Sequence, residues 1–225
     1  MEIIILGGGG DASVISQIIN DIDRSGGAEK KNVGILDDSL PKGSSFLKLP
    51  VLGVLDCWPE LSQNYFFIPA LQKIKKMPSR SQRILGLRIP ESRWTNAIHP
   101  SACVADDVPV GFGTTIASHV TVNPGARIGN FVSIRAGANI GHDAVVEDFS
   151  YIGPNATMNG FSRLGYGSSL GPNSVILENV TVSEFCVIGI GSAVTKAFPA
   201  YSILTGNPCQ LFRKYRDHDA ATEAD

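Results

Sequence analysis

"NIGHDAVVEDFSYIGPNATMNG", residues 139–160, carries an aliphatic residue or methionine at every sixth position: Ile140, Val146, Ile152 and Met158. The same step runs back through Ile134, Ile128, Val122, Ile116, Val110 and Val104 to Ile98. Forward it runs through Leu164, Leu170, Ile176, Val182 and Ile188 to Val194, seventeen positions without an exception. Four residues after each of the first sixteen stands a small or β-branched residue, from Ala102 through Ala138, Ala144, Ser150 and Ala156 to Cys186 and Ser192. A period of six matches neither a helix nor the alternation of a half-buried strand. It matches a short strand and a corner repeated around a triangular prism, with three hexads to an eighteen-residue coil and a little over five coils in all. The aliphatic residue points inward, the small one fills the space near the corner, and coils stack through parallel backbone hydrogen bonds. Glycine follows the aliphatic residue at Gly111, Gly129, Gly141, Gly153, Gly165, Gly171 and Gly189, which reads as backbone freedom for turning the corner.

That register locates His142, which is followed directly by Asp143. It falls two after the inward Ile140, so it does not face the core. On the residues alone three roles stay open: a surface histidine at a corner, a metal ligand, or a base whose tautomer is fixed by the neighbouring carboxylate. Folding positions by eighteen puts His99 and His119 on one side of the prism and His142 on the next, so no zinc set is expected. His99, in "IHPSA", reads as ordering a domain junction. Cys186 occupies an inward slot and reads as a packing residue.

Upstream the pattern changes. "EIIIL" (2–6) reads as a buried strand, "GGGG" follows, and "ASVISQIINDI" (12–22) has apolar residues at helical spacing. "NVGILDD" (32–38) and "NYFFIPAL" (64–71) read as further strands of a small parallel sheet of Rossmann type. Gly7, Gly9 and Ala12 satisfy G-x-G-x-x-A, with Asp37 about 25 residues on. Glycines there let the backbone approach a phosphate or ribose, and a helix N-terminus favours negative charge. The stretch is too short for a second mononucleotide half, which argues against a nicotinamide cofactor. The basic run "KIKKMPSRSQR" (73–83) reads as a solvated face.

Composition narrows the partners. In 225 residues the formal net charge is −2, and twelve of the nineteen Lys and Arg precede residue 98. No polybasic tail or nucleic-acid signature appears, and no apolar run is long enough to insert in a membrane. Cys57, Cys103, Cys186 and Cys209 form no C-x-x-C, which with the lack of a signal peptide points to a cytoplasmic protein.

A short Gly-loop domain, then "NAIHPSA" (96–102), then a hexapeptide repeat with Gly-His-Asp near its middle resembles the sialic acid O-acetyltransferase type family of the hexapeptide acyltransferase superfamily. Its best understood branch N-acetylates 4-amino nucleotide sugars. The resemblance implies an α/β Rossmann-like nucleotide-sugar-binding domain over residues 1–95 and a C-terminal left-handed parallel β-helix over 96–208. A cap and polar tail over 209–225 close it, with "ILTGNPCQLFRKY" (203–215) as the closing segment and a short helix possible after it. It further implies a homotrimer with acetyl-CoA in the groove between neighbouring β-helices, and no metal.

Residue by residue, the resemblance makes His142 the general base and Asp143 its acidic partner. Gly160, one coil later, presents its N–H to the thioester carbonyl, and Tyr151 and Gly189 lie along the acetyl-CoA groove. Gly7, Gly9, Gly10, Asp37 and Arg135 fall to the nucleotide sugar. Four residues at three places depart from the family pattern. Asp11 and Ala12 stand where the Gly loop usually ends His-Gly, Arg135 where an Asn commonly sits seven before the base, and Tyr151 where a second His is often found. A cation at Arg135 reads as a ligand for a phosphate or a carboxylate. The expected activity is acetyl-CoA-dependent N-acetylation of a nucleotide-linked 4-amino-4,6-dideoxy sugar. The alternatives are O-acetylation of sialic acid or another sugar, and a non-catalytic trimeric scaffold that binds a nucleotide sugar.

Overall fold

The computed structural model describes residues 1–26, 30–70, 72–74 and 76–215. The expected polar tail and any helix after Tyr215 lie outside these residues.

The N-terminal unit is a five-stranded sheet with a helix on each face. Strand β1 (Glu2–Leu6) lies between β2 (Lys31–Leu36) and β5 (Tyr65–Pro69), parallel to both, and β4 (Leu49–Gly53) extends the sheet beyond β2. An antiparallel hairpin of β3 (Ser45–Phe46) with β4, unforeseen in the sequence, forms the edge. Alternation within "EIIIL" feeds two cores. Ile3 and Ile5 face Ile15, Ile18, Ile19 and Ile22 of α1 (Gly10–Arg24), while Ile4 and Leu6 face Met77 and Ile84 of α2 (Met77–Gly86).

From Ala97 onward the chain winds into a triangular prism. One face stacks Ala97–Ile98, Thr115–Ile116, Ser133–Ile134, Tyr151–Ile152, Ser169–Leu170 and Val187–Ile188. The second runs from Cys103–Val104 through Asn139–Ile140 to Ala193–Val194, and the third from Arg127–Ile128 to Thr181–Val182. Every rung pairs in parallel with the residue eighteen away, as Ser133 with Tyr151 and Asn139 with Thr157. From Ile116 to Val194 all the inward hexad residues are buried, and only Ile98, Val104 and Val110 of the opening coil are partly covered. Buried hydroxyls in the small-residue slots are satisfied by the next coil: Ser150 Oγ donates to Gly165 O at 2.9 Å and Ser174 Oγ to Gly189 O at 2.7 Å.

The glycines after the inward residue have a different role from the expected one. Positive φ recurs every six residues but two positions later, from Gly113 (φ +69) to Gly191 (φ +65), and Phe131, Asp143, Phe149, Phe161 and Phe185 adopt it as well. Gly141, Gly153 and Gly165 are required by space. A Cβ at Gly153 would come within 2.6 Å of Pro172 N in the next coil, and one at Gly141 within 2.7 Å of Gly160 N.

A chain of aromatic rings fastens the two units. Phe67 of β5 meets Trp94 edge-on, Trp94 meets Phe131 at 4.9 Å, and Phe131 stacks on Phe149 at 4.8 Å. The contacts continue down that corner through Tyr166, Phe185 and Tyr201. On the other side of the unit His99 bonds Asp21 of α1 at 3.2 Å, the junction role expected for it. The closing segment is an antiparallel hairpin of Ser202–Thr205 with Gln210–Lys214, turned at Gly206 and a cis Asn207–Pro208 bond. Among the described residues no helix is long and apolar enough to cross a membrane.

Gly153→Ala is expected to cost about 2 kcal/mol in chemical denaturation, because its Cβ meets backbone that cannot swing aside. Gly86→Ala, at an open helix position, should be neutral or stabilising by up to about 1 kcal/mol.

Candidate active site

His142 leaves the prism at the corner between the second and third faces. Its ring pairs with Asp143, Nδ1 to Oδ2 at 2.9 Å, and meets Phe161 edge-on at 5.1 Å. Both polar side chains are half exposed, so the pair is open to a ligand. Asp143 reaches the imidazole because its backbone is left-handed (φ +56), which turns the adjacent side chain back over the corner.

One coil later the chain passes beneath the ring. A Cβ on Gly160 would lie 2.6 Å from both Cε1 and Nε2 of His142, so the imidazole occupies the space that only a glycine leaves. The Gly160 N–H finds no acceptor among the described residues, unlike Asn130 N and Tyr166 N at another corner, which Asp148 and Glu147 cap. His142, Gly141, Asn159, Gly160, Leu177 and Glu178 are among the residues lining a groove of about 440 Å³. Phe161 and Leu177 stand half exposed at its rim.

A second site lies in the N-terminal unit, at the start of α1. Gly7, Gly8, Gly9, Gly10 and Asp37 line a cavity of about 410 Å³ together with Asp11, Gln72, Lys73 and Arg80. Nothing occupies the space a Cβ would take at Gly9 or Gly10, so backbone is presented directly to the cavity. Asp37 shapes this loop: Oδ2 accepts from Gly8 N at 2.5 Å, and Oδ1 accepts from Ser39 N, Ser39 Oγ and Leu40 N. Burial pushes its carboxyl up, but these hydrogen bonds outweigh that and hold it below the usual carboxylate range.

Arg135 is buried beside this loop. Its Nη2 bonds Asp11 Oδ1, and its guanidinium lies 5.4 Å from the Tyr151 ring centre. The three departures from the family pattern thus form one contact unit. Burial raises the Asp11 pKa, opposed by the charge and hydrogen bond of Arg135. Tyr151 lines a further cavity of about 340 Å³ that shares Asp11, Gln72 and Lys73 with the Gly-loop cavity.

The structure therefore brings His142, Asp143 and Gly160 together, and Gly7, Gly9, Gly10 and Asp37 together with Arg135 beside them through Asp11, but the His142 groove and the Gly-loop cavity share no lining residue. Tyr151 belongs with the second group. Gly189 lines neither cavity, and its N–H is used by Leu204 O. Gln72 drew no notice in the sequence, and Lys73 and Arg80 were read as solvated surface. No motif marks them, and only the return of the chain after β5 carries them to the Gly loop. Cys186 is buried in its slot, and burial pushes its thiol up, away from nucleophilic use. Among the described residues no cluster of three or more His, Cys, Asp or Glu could hold a metal ion.

No protein-family model matches the chain. A variant of perosamine N-acetyltransferase from Caulobacter crescentus, solved with CoA and GDP-perosamine, superposes with a TM-score of 0.80 at 25% identity, over 95% of this chain and 98% of that one. The acetyltransferase domain of PglB from Neisseria gonorrhoeae, solved with acetyl coenzyme A, gives 0.80 at 23% identity, over 94% and 98%. The prism thus matches the left-handed β-helix fold of acetyltransferases. By sequence, a stretch of 54 residues is 44% identical to a putative acetyltransferase of Staphylococcus aureus, covering 24% of this chain and 27% of that protein. A stretch of 45 residues is 40% identical to the dTDP-3-amino-3,6-dideoxy-alpha-D-galactopyranose 3-N-acetyltransferase of Aneurinibacillus thermoaerophilus, covering 20% and 23%. The sequence matches span about a quarter of these relatives. The likeness read from the sequence holds: the structural neighbours and the curated relatives are acetyltransferases.

Gly160→Ala is expected to drive the His142 ring off the corner and lengthen its bond to Asp143, with little change in melting temperature because the displaced group is a side-chain tip. Imidazole NMR shifts and a thermal melt check both halves of this expectation.

Proposed function

We propose that the protein is an acetyl-CoA-dependent N-acetyltransferase acting on the amino group of a nucleotide-linked 4-amino-4,6-dideoxy sugar. The observation that carries the reading is the convergence of His142 Nε2 with the unused Gly160 N–H in one open groove. With Asp143 accepting from Nδ1–H, Nε2 holds the free lone pair. The acceptor amine adds to the thioester carbonyl while Nε2 takes a proton from the nitrogen, and the Gly160 N–H meets the oxyanion as it forms. Collapse of the adduct expels the CoA sulfur, which recovers the proton from the imidazolium. No acyl-enzyme is needed. CoA-bound structural neighbours, one of which also holds a nucleotide sugar, support this choice of substrates.

The N-terminal unit, Rossmann-like in its strand–Gly loop–helix start, is the nucleotide-sugar domain in this reading. Its glycines, Lys73 and Arg80 suit a diphosphate. The β-helix over 96–208 is the acyl-transfer domain, and acetyl-CoA lies along the His142 groove. The four unpaired cysteines suit a reducing, cytoplasmic setting.

Because the Gly-loop cavity and the His142 groove share no lining residue within one chain, a neighbouring copy brings its His142 to the acceptor in this reading. A homotrimer, with half-exposed Phe161 and Leu177 covered at the interface, meets that requirement. Tyr151 then faces the active site from the neighbouring subunit.

His142→Ala should lower kcat by about 10²- to 10⁴-fold with the acceptor KM little changed, measured as CoA release from acetyl-CoA and amino-sugar nucleotides. Wild-type turnover retained by this variant rejects the mechanism. Mixing His142→Ala with Gly9→Phe, whose ring fills the Gly-loop cavity, should regain roughly a quarter of wild-type activity by random assortment across a head-to-tail interface. A site completed within one subunit would regain none.

A further inference from the structure

Asn159 stands immediately before Gly160 and lines the His142 groove, and its side-chain amide is oriented by the chain itself. Nδ2 donates to Ile176 O, one coil further on, at 2.9 Å, and the Asn159 backbone N–H donates to the same oxygen at 3.0 Å. A carbonyl oxygen only accepts, so the amide cannot be turned over, and Oδ1 is the atom left for other use. Among the described residues Oδ1 receives no donor. It is also not buried, unlike the unpaired Asp11 Oδ2 and Gln72 Oε1, so a ligand in the groove can reach it.

The direction in which the amide leans places it relative to the chemistry. Asn123, in the same column of the prism two coils earlier, is held in the same way, with Nδ2 on Ile140 O at 2.8 Å. Each amide leans toward the following coil, that of Asn123 toward the coil of His142 and that of Asn159 away from it. His142 lies one coil before Gly160, so an acceptor nitrogen that gives it a proton occupies that end of the groove. With the thioester carbonyl at the Gly160 N–H, the sulfur and the arm behind it run toward the other end, past Asn159 to half-exposed Leu177. The first amide N–H of a pantetheine arm stands four bonds from the thioester carbon, a reach of roughly 5 Å. Adjacent coils are about 4.8 Å apart, so that N–H arrives one coil step from the carbonyl, at the Asn159 amide.

We infer that Asn159 Oδ1 accepts the N–H of the amide nearest the sulfur in acetyl-CoA, and that the enzyme thereby selects a thiol carrier bearing an amide over a simple thioester. This rests on the acyl-transfer reading above and adds to it the end of the groove that the carrier takes and the group by which it is recognised. Once a carrier covers the groove, water no longer satisfies Oδ1, and a thioester without the N–H leaves that oxygen unpaired. Leu177, next after Asn159 in its column, offers apolar surface to the methylenes that flank the amide.

The test sets CoA and acetyl-CoA against analogues in which that one amide is an ester, oxygen replacing N–H, with wild type and Asn159→Ala. Binding of the thiols is measured by calorimetry, and transfer to GDP- and dTDP-linked 4-amino-4,6-dideoxyhexoses gives KM and kcat. Wild type should bind CoA about 10- to 100-fold more tightly than its ester analogue. Asn159→Ala should bind CoA about 10-fold more weakly than wild type does and hold CoA and the ester within about 3-fold of each other, a cycle that isolates the single contact. In turnover the loss should fall on the KM for acetyl-CoA with kcat little changed, because the arm is held alike before and during the reaction. The inference falls if wild type binds the two thiols equally, a result that needs no variant, or if Asn159→Ala keeps the full preference for the amide. A preference that Asn159 controls, with no transfer to either sugar, would support the inference and sink the proposed acceptor. Failure of wild type to bind CoA overturns both.

Discussion

The parallel pairing of each residue with the one eighteen positions away is the constraint on which the molecule depends. It closes every backbone hydrogen bond of a rung onto the next coil and leaves one inward side chain per hexad to fill the prism. Position on the prism is then fixed by sequence number modulo eighteen. His142 lies over Gly160 for no other reason than that 160 is one coil further on. His142, Asp143 and Gly160 therefore sit on a stacked scaffold, and their geometry is as stiff as the packing of Ile140, Val146 and Met158 behind them.

The same stacking explains two features of the corners. Close approach of one coil to the next expels any Cβ from Gly141, Gly153 and Gly165, whereas the turn itself is made by a left-handed residue two positions later. At those left-handed positions a Cβ would meet side-chain atoms of the next coil, as Gly113 would meet Phe131, and not its backbone, so packing and function choose the residue there. The corner occupied by Phe131, Phe149 and Phe185 becomes the column on which the N-terminal unit docks, and the corner occupied by Asp143 and Phe161 becomes the rim of the His142 groove. An αL aromatic carries a local strain cost, and its recurrence along one edge is intelligible because each ring packs on the next.

What was legible in the sequence was periodic or contiguous. The hexad fixed the prism and the place of His142, Asp143 and Gly160, and the strand–Gly loop–helix pattern fixed β1 and α1. The role of the post-aliphatic glycines was misread because a sequence shows where glycine occurs, not whether φ or space demands it. The β3–β4 hairpin was missed because strands of two and five residues with a proline among them give no alternation. Lys73, Arg80 and Gln72 were illegible for a similar reason, since they lie in irregular chain or on the polar side of α2. Above all, Asp11 and Arg135 are 124 residues apart and belong to different periodic systems. Each was visible as an oddity, and only the docking of α1 against the first face of the prism makes them one feature.

That docking also bears on why a buried ion pair is kept where its desolvation cancels much of its attraction. Aromatic contacts on one side of the N-terminal unit and the His99–Asp21 bond on the other already hold it to the prism. A further apolar contact would add adhesion without direction. An arginine reaching from the prism to the first turn of α1 instead ties the Gly loop to one register of the β-helix, because a guanidinium–carboxylate contact tolerates little sliding. The bare backbone of the Gly loop and the prism face that carries Arg135 are thereby held at a fixed spacing. In the proposed reaction, whose base sits on the same prism, that spacing decides whether the reacting nitrogen arrives within reach of it.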